Sequence, residues 1–465
     1  MGESLLPLNG FQQMMLRWEQ HLPLNAMHLV ELKSGPDSRV VADCLSAACS
    51  MLGLRRVCVD GAGRNLLWES PLASRTVPAP QVALRSLATA GYENLSRVLN
   101  CELNERFESG MHWPVRAVQI EQDNHTTFLG LVYHHLVTDA RGISLLMREW
   151  LRRLGDHSFE GASQQFEYSS PATESADRTG WKQGIAGLAR TAQDLVTLMR
   201  CRRPMPDFQT SRRIQAGFHE TSARLSLLKG YARVFGATVG ELVLAALFEA
   251  LTLLLQERPR GQVPMALCLP VDLRNPAEQE TGVFLGQMLG SLTVQDTGSV
   301  GESFSGRVSR IAAKVRTLKQ SGRAAGHSMQ MKVMSRLWDL APDWVNRKTG
   351  PALIPLAGCL SNVNFTQFMM SEVQSGLLRA YHRFSGTGPL VPLMISLTTL
   401  PSTMSLTTSH HSDVFSDNQI TRLMTHVRLR IQGELPDQSS RLLYNSLPEQ
   451  GGFELAPQRE WSRAA

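Results

Sequence analysis

Apolar and polar positions along the chain change period several times, and each change marks an element. Residues 26–32 (AMHLVEL) and 55–60 (RRVCVD) have the alternation of short strands. Residues 114–120 (PVRAVQI) and 126–134 (TTFLGLVYH) are β-branched and aromatic runs separated by the polar EQDNH, which predicts a hairpin. After Gly142 the period lengthens. Ile143, Leu146, Met147, Trp150, Leu151 and Leu154 fall on one face of a helix over 143–154. Residues 155–180 are polar and predict a surface connection, followed by a helix over 181–200. The second half opens at Thr238, with Glu241 three residues on, in the pattern of a capping box. Residues 239–255 are then apolar nearly all round, as a buried helix is. Strands are predicted over 263–274, 290–295 and 358–365, and a hairpin over 392–411. Helices are predicted over 303–320 and 416–433, the last closed by Gly433.

Both halves thus mix strands and helices without strict βαβ alternation. This predicts an α/β (α+β) chain of two halves with mixed sheets, 1–175 and 216–465, joined by a crossover linker at 176–215. The chain has 465 residues, 43% of them hydrophobic and 19% charged, enough for two cores. Its most apolar stretch, 239–255, is interrupted by Glu241 and Glu249, and residues 1–11 do not read as a secretion signal. A cytoplasmic protein without integral membrane association is expected. The seven cysteines are scattered, odd in number and without Cys-x-x-Cys spacing, which points to reduced thiols. A net charge of +6, with five arginines in residues 199–213, suits an acidic carrier protein or a phosphate-bearing cofactor. No nucleic-acid-binding module accompanies it, so no nucleic-acid partner is expected.

Residues 131–142 read LVYHHLVTDARG. A strand ends near His134, and successive strand side chains point to opposite faces, so one histidine can face a channel while the other turns inward. Asp139 follows in a short loop, and Gly142 permits a tight turn into the next helix. From the residues alone, a general base and a purely structural strand end are both open readings. His410 and His411 form a second pair, so pairing by itself decides nothing. His134, His135 and Asp139 are metal-ligand types, but no further His or Cys stands at ligand spacing, and no metal is expected.

The stretch resembles the His-His-x-x-x-Asp-Gly signature of the condensation-domain and CoA-dependent acyltransferase superfamily, which includes chloramphenicol acetyltransferase and wax ester synthases. The resemblance continues in order through PLNGFQQMMLRWEQHLPLNAMHLVEL, GATVGELVLAALFEAL, LCLPVDLRNP, GVFLGQMLGSLTV and CLSNVNF. It implies a pseudo-dimer of two chloramphenicol-acetyltransferase-like halves around a central tunnel. It implies His135 as the general base facing that tunnel, His134 in support, and Asp139 as a structural residue salt-bridged to Arg274. Ala140 stands where the family has Gly, and Gln287 where Asn is usual. The extra methyl narrows the channel, and a positive φ at Ala140 would strain the loop, with Gly142 as a compensating position.

The implied activity is transfer of an acyl group from acyl-CoA or acyl-phosphopantetheine to an alcohol or amine, with no permanently bound cofactor. The partners would be an acyl or peptidyl carrier protein, or free acyl-CoA, acting with a monomeric enzyme of specialised, nonribosomal peptide or polyketide-type metabolism. With no fused adenylation or carrier module, a stand-alone enzyme is expected. Candidate substrate-binding and oxyanion residues are Ala140 (through its N–H), Ser361, Asn362 and Gly142. The methionines of 327–338 are candidates to line an acyl pocket. Two rival readings are a catalytically silent carrier-protein-binding module and a wax ester synthase or diacylglycerol acyltransferase-like enzyme. Glu108 and Arg141 read as solvated charges.

Overall fold

The computed structural model describes residues 4–435 apart from 34, 71–77, 88–90, 109, 124–125, 157–165, 169–195, 203, 205–213, 221–224, 257–262, 275–283 and 298–301. Most of the linker and the helix expected over 181–200 lie outside the described residues. In chain order the first elements are β1 (Ser4–Pro7), α1 (Gly10–Glu19), β2 (Asn25–Leu32), α2 (Ser38–Leu52), β3 (Val57–Val59) and β4 (Asn65–Trp68). There follow β5 (Val82–Ser86), α3 (Tyr92–Asn104), β6 (Val115–Asp123), β7 (Thr126–His134), α4 (Ala140–Gly155) and β8 (Glu167–Tyr168). The second half has β9 (Ile214–Glu220), α5 (Leu225–Val234), α6 (Val239–Gln256), β10 (Met265–Asp272), β11 (Phe284–Leu285), β12 (Leu289–Asp296) and α7 (Phe304–Gln320). It closes with α8 (His327–Leu340), α9 (Asp343–Leu353), β13 (Leu356–Asn364), α10 (Met370–Gln374), β14 (Leu378–Phe384), β15 (Leu393–Thr399), β16 (Met404–His411) and α11 (Asp417–Gln432).

Two mixed sheets carry the fold. One has the order β14-β2-β7-β6-β5, the other β12-β10-β13-β15-β16-β9, with small sheets β1-β4-β3 and β11-β8 beside them. The hairpin β6–β7 is antiparallel with Val115 opposite Tyr133. β7 is central and buried on both faces after its first residue, so it does not alternate. Gly130 is required there. A Cβ would stand 2.2 Å from Met27 Cε and 2.7 Å from Val118 Cγ1. α6 is buried all round from Leu242 to Phe248 and packs against α7 and α11. Its capping box is formed: the Thr238 N–H donates to Glu241 (2.8 Å) and the Glu241 N–H to Thr238 Oγ1 (3.3 Å).

The two halves exchange an element. β14 belongs by sequence to the second half but pairs antiparallel with β2, Tyr381 opposite Val30, as the edge of the first sheet. Its buried Arg383 donates to Ser361 Oγ and Thr398 Oγ1 and to the carbonyls of Ser361 and Leu397, tying that edge to β13 and β15. A division at residue 216 therefore does not separate two self-contained sheets. No single helix among the described residues is long and apolar enough to cross a membrane. α5 and α6 pass that test only as a pair bent by 77°, and both contribute to the second-half core.

Candidate active site

The candidate active-site loop grows directly out of β7. Its main chain stays hydrogen-bonded where the strand ends: the His134 N–H donates to Pro114 and the His135 N–H to Leu24, both at 3.0 Å. A tight turn follows, closed by the Val137 N–H on the His134 carbonyl at 2.9 Å. Asp139 then caps α4. Its Oδ1 accepts from the N–H groups of Arg141 (3.1 Å) and Gly142 (3.0 Å), which leave the first helical turn without partners of their own. Its Oδ2 accepts from the Met288 N–H at 2.9 Å and lies 3.0 Å from the Arg274 guanidinium. Asp139 is fully buried and Arg274 nearly so, and Arg274 also meets Asp272 at 3.1 Å. Burial works against the Arg274 charge, but Asp139 and Asp272 together hold its pKa above the ordinary arginine value.

The two histidines face opposite ways. His134 turns inward, with Nε2 2.7 Å from Glu19 Oε1 and its ring stacked on Phe107 at 5.2 Å. Burial would raise the Glu19 carboxyl, yet His134, Arg106 and His112 hold it below its ordinary value. His135 lines a cavity of about 440 Å³ between the halves, walled by α1 (Phe11, Met15, Trp18), β12, α8 and the 386–391 segment. Its Nδ1 lies 3.1 Å from the Thr138 carbonyl. The Thr138 carbonyl favours a proton on Nδ1, which would leave Nε2 as the acceptor, whereas Gln287 Nε2, 2.9 Å from the same Nδ1, can only donate to it. Desolvation depresses the His135 pKa, so the ring is neutral at physiological pH.

A residue outside the motif fixes this loop. Gln287 is buried, and its amide donates to the carbonyls of His135 and Thr138, the latter at 2.9 Å. From the other side, Asn9 Nδ2 donates to the Gln287 carbonyl (3.0 Å) and Gln12 Nε2 to the Leu136 carbonyl (2.9 Å). The sequence marked Gln287 only as a departure from Asn. Asn9 and Gln12 carry no signal beyond their place before and within α1.

No family model matches the sequence, and no match is found among curated proteins. Solved structures do match along nearly the whole chain. The first condensation domain of the calcium-dependent antibiotic synthetase, in complex with a substrate analogue, has a TM-score of 0.67 at 15% identity, covering 94% of this chain and 98% of that one. The condensation domain of the Monacolin K polyketide synthase has a TM-score of 0.62 at 13% identity, covering 95% and 98%. The starter condensation domain of rhizomide synthetase, in complex with C8-CoA and Leu-SNAC, has a TM-score of 0.61 at 13% identity, covering 94% and 96%. The chain has the condensation-domain fold. With it come the pseudo-dimer of two α/β halves and the open mixed sheets expected from the sequence.

Within this condensation-domain fold, the other candidate residues do not all gather at the cavity. Ala140 is the first helical residue of α4, so it takes no positive φ and the anticipated strain does not arise. Gly142 is likewise a helix residue whose N–H is held by Asp139. It makes no turn and lines no part of the cavity. Ser361 and Asn362 are absent from the cavity wall: Ser361 shares the strand face of Cys359, which lines it, but lies beyond its end, and Asn362 takes the opposite face. Ser361 Oγ accepts from Arg383 at 3.1 Å, while Asn362 is exposed and reaches the start of α6, beside Gly240. Met331 and Met334 do line the cavity, as does His327. Arg141 is not a freely solvated charge: it lies over the Phe368 ring at 4.1 Å. Glu108 is exposed.

Proposed function

We propose that the protein is an acyltransferase that joins an acyl group from a CoA or carrier-protein thioester to an amine or alcohol. The observation that carries this reading is the His135 imidazole at the cavity wall, its Nδ1 held between the Thr138 carbonyl and the Gln287 amide. In this reading His135 Nε2 takes the proton of the acceptor as its nitrogen or oxygen attacks the thioester carbonyl carbon. The C–S bond then breaks, and the leaving sulfur receives that proton from His135. The oxyanion donor we propose is the Ala140 N–H at the start of α4. Asp139 and Arg274 are positioning residues, and His134 supports the loop from behind. Likeness to condensation domains crystallised with C8-CoA or substrate analogues supports the donor class and a place in nonribosomal peptide or polyketide-type biosynthesis.

The test is product formation by mass spectrometry from a panel of acyl-CoA and acyl-carrier thioesters with amine and alcohol acceptors. His135→Ala is expected to lower kcat by about a hundredfold or more, and His134→Ala to keep most of it. Full activity in His135→Ala would exclude the proposed base.

A further inference from the structure

Among the described residues, the cavity beside His135 has no carboxylate in its wall. Among the described lining residues the charged groups are Lys314 and Arg323, both exposed, and the remaining wall is dominated by apolar side chains and glycine. The cavity is also elongated. It follows β12 from Leu289 to Gln295, six residue steps or about 20 Å of strand. Its volume of about 440 Å³ falls in the range of small-molecule sites. Met331 and Met334 of α8 supply flexible thioethers that fit irregular aliphatic surface.

We infer that this cavity seats a linear apolar acyl chain on the donor and rejects aminoacyl and peptidyl groups bearing a free ammonium. The inference rests on the acyl-transfer reading and names its substrate class. An ammonium carried into this slot loses its water and finds no carboxylate to replace it, which costs far more than an aliphatic carbon at the same position. A methylene placed there gains affinity instead, about fourfold for each one buried. The wall therefore selects by charge first and by length second.

A matched pair of donors tests this: the N-acetylcysteamine thioesters of octanoic acid and 2-aminooctanoic acid, which differ only in the amino group. The octanoyl donor is expected to exceed the amino analogue in kcat/KM by at least about a hundredfold. Across acetyl to dodecanoyl donors, kcat/KM is expected to climb about fourfold per methylene until the slot is full. Met334→Trp is expected to move the optimum to shorter chains.

Binding has its own readout in the His135→Ala protein. Cys268 lines the cavity and is half-buried, so a seated chain protects it from iodoacetamide. Equal use of the two donors overturns the inference and leaves acyl transfer standing. No turnover with any thioester, together with protection of Cys268 by the octanoyl donor alone, overturns the acyl-transfer reading and keeps the chain site. Neither turnover nor protection overturns both.

Discussion

Asp139 does the work of four hydrogen-bonding partners in a place without solvent. It caps α4 twice, takes the Met288 N–H, and is the counter-ion of Arg274. Removing one member of a fully buried ion pair leaves the other charge without compensation, and that cost exceeds the worth of the pair itself. Arg274→Met should therefore lower stability by about 3–5 kcal/mol, read as a shift of the urea midpoint at unchanged m-value. Little change would mean that the helix cap and the Met288 N–H suffice to hold Asp139 and its loop. Much of this loop is legible in the sequence, because His134, His135 and Asp139 fall within six residues and Arg274 follows a strand. Gln287 is not legible as a clamp. It reaches His135 across 152 positions, and nothing local distinguishes a buried amide that holds two carbonyls from any other glutamine. The oxyanion candidates on β13 fail to reach the cavity wall for a related reason. A two-residue period says which side chains share a face, not where along the strand the cavity ends.

Elements with a strong local pattern form where the sequence puts them: the β6–β7 hairpin, α4, α6, the β15–β16 hairpin and α11 with its own capping box at Ser416. β14 was not predicted. Its sequence, LRAYHRF, is polar at three of seven positions, and its partner β2 lies more than 340 residues earlier, so neither period nor proximity announces it. Glycines separate the two kinds of element control. At Gly130 on central β7, two cross-strand neighbours occupy the space of a side chain, while at Gly230 in α5 nothing lies within 4 Å. Gly130→Val should cost about 1–3 kcal/mol or more by overpacking. Gly230→Ala should gain up to about 1 kcal/mol through helix propensity. Thermal unfolding of the two variants is expected to move the midpoint in opposite directions.

At the scale of the whole molecule, stability toward acid is set by histidines that fold neutral. His382 is 3% exposed, meets Phe218 edge-on at 5.2 Å, and has no hydrogen-bond partner on either ring nitrogen among the described residues. Burial depresses its pKa to about 4, and burial drives His28 down in the same direction. In the unfolded chain a histidine titrates near ~6.5. Between pH 6.5 and about 4 the unfolded state therefore binds a proton that folded His382 refuses, so stability falls as pH falls through this window. Each such group contributes about 1.4 kcal/mol per pH unit. Glu249 acts in a lower window. Burial would raise its carboxyl, but hydrogen bonds from Arg430 and His426 hold it at about 2, so its contribution is lost only below the ordinary carboxylate range. The two windows make the acid limb separable. His382→Phe keeps a ring beside Phe218 and removes the titrating group. Its stability relative to the parent chain should be similar at pH 7.5 and about 2 kcal/mol more favourable at pH 5. Urea unfolding at the two pH values checks this. An unchanged difference between them would mean that His382 takes up its proton in the folded chain as readily as in the unfolded one.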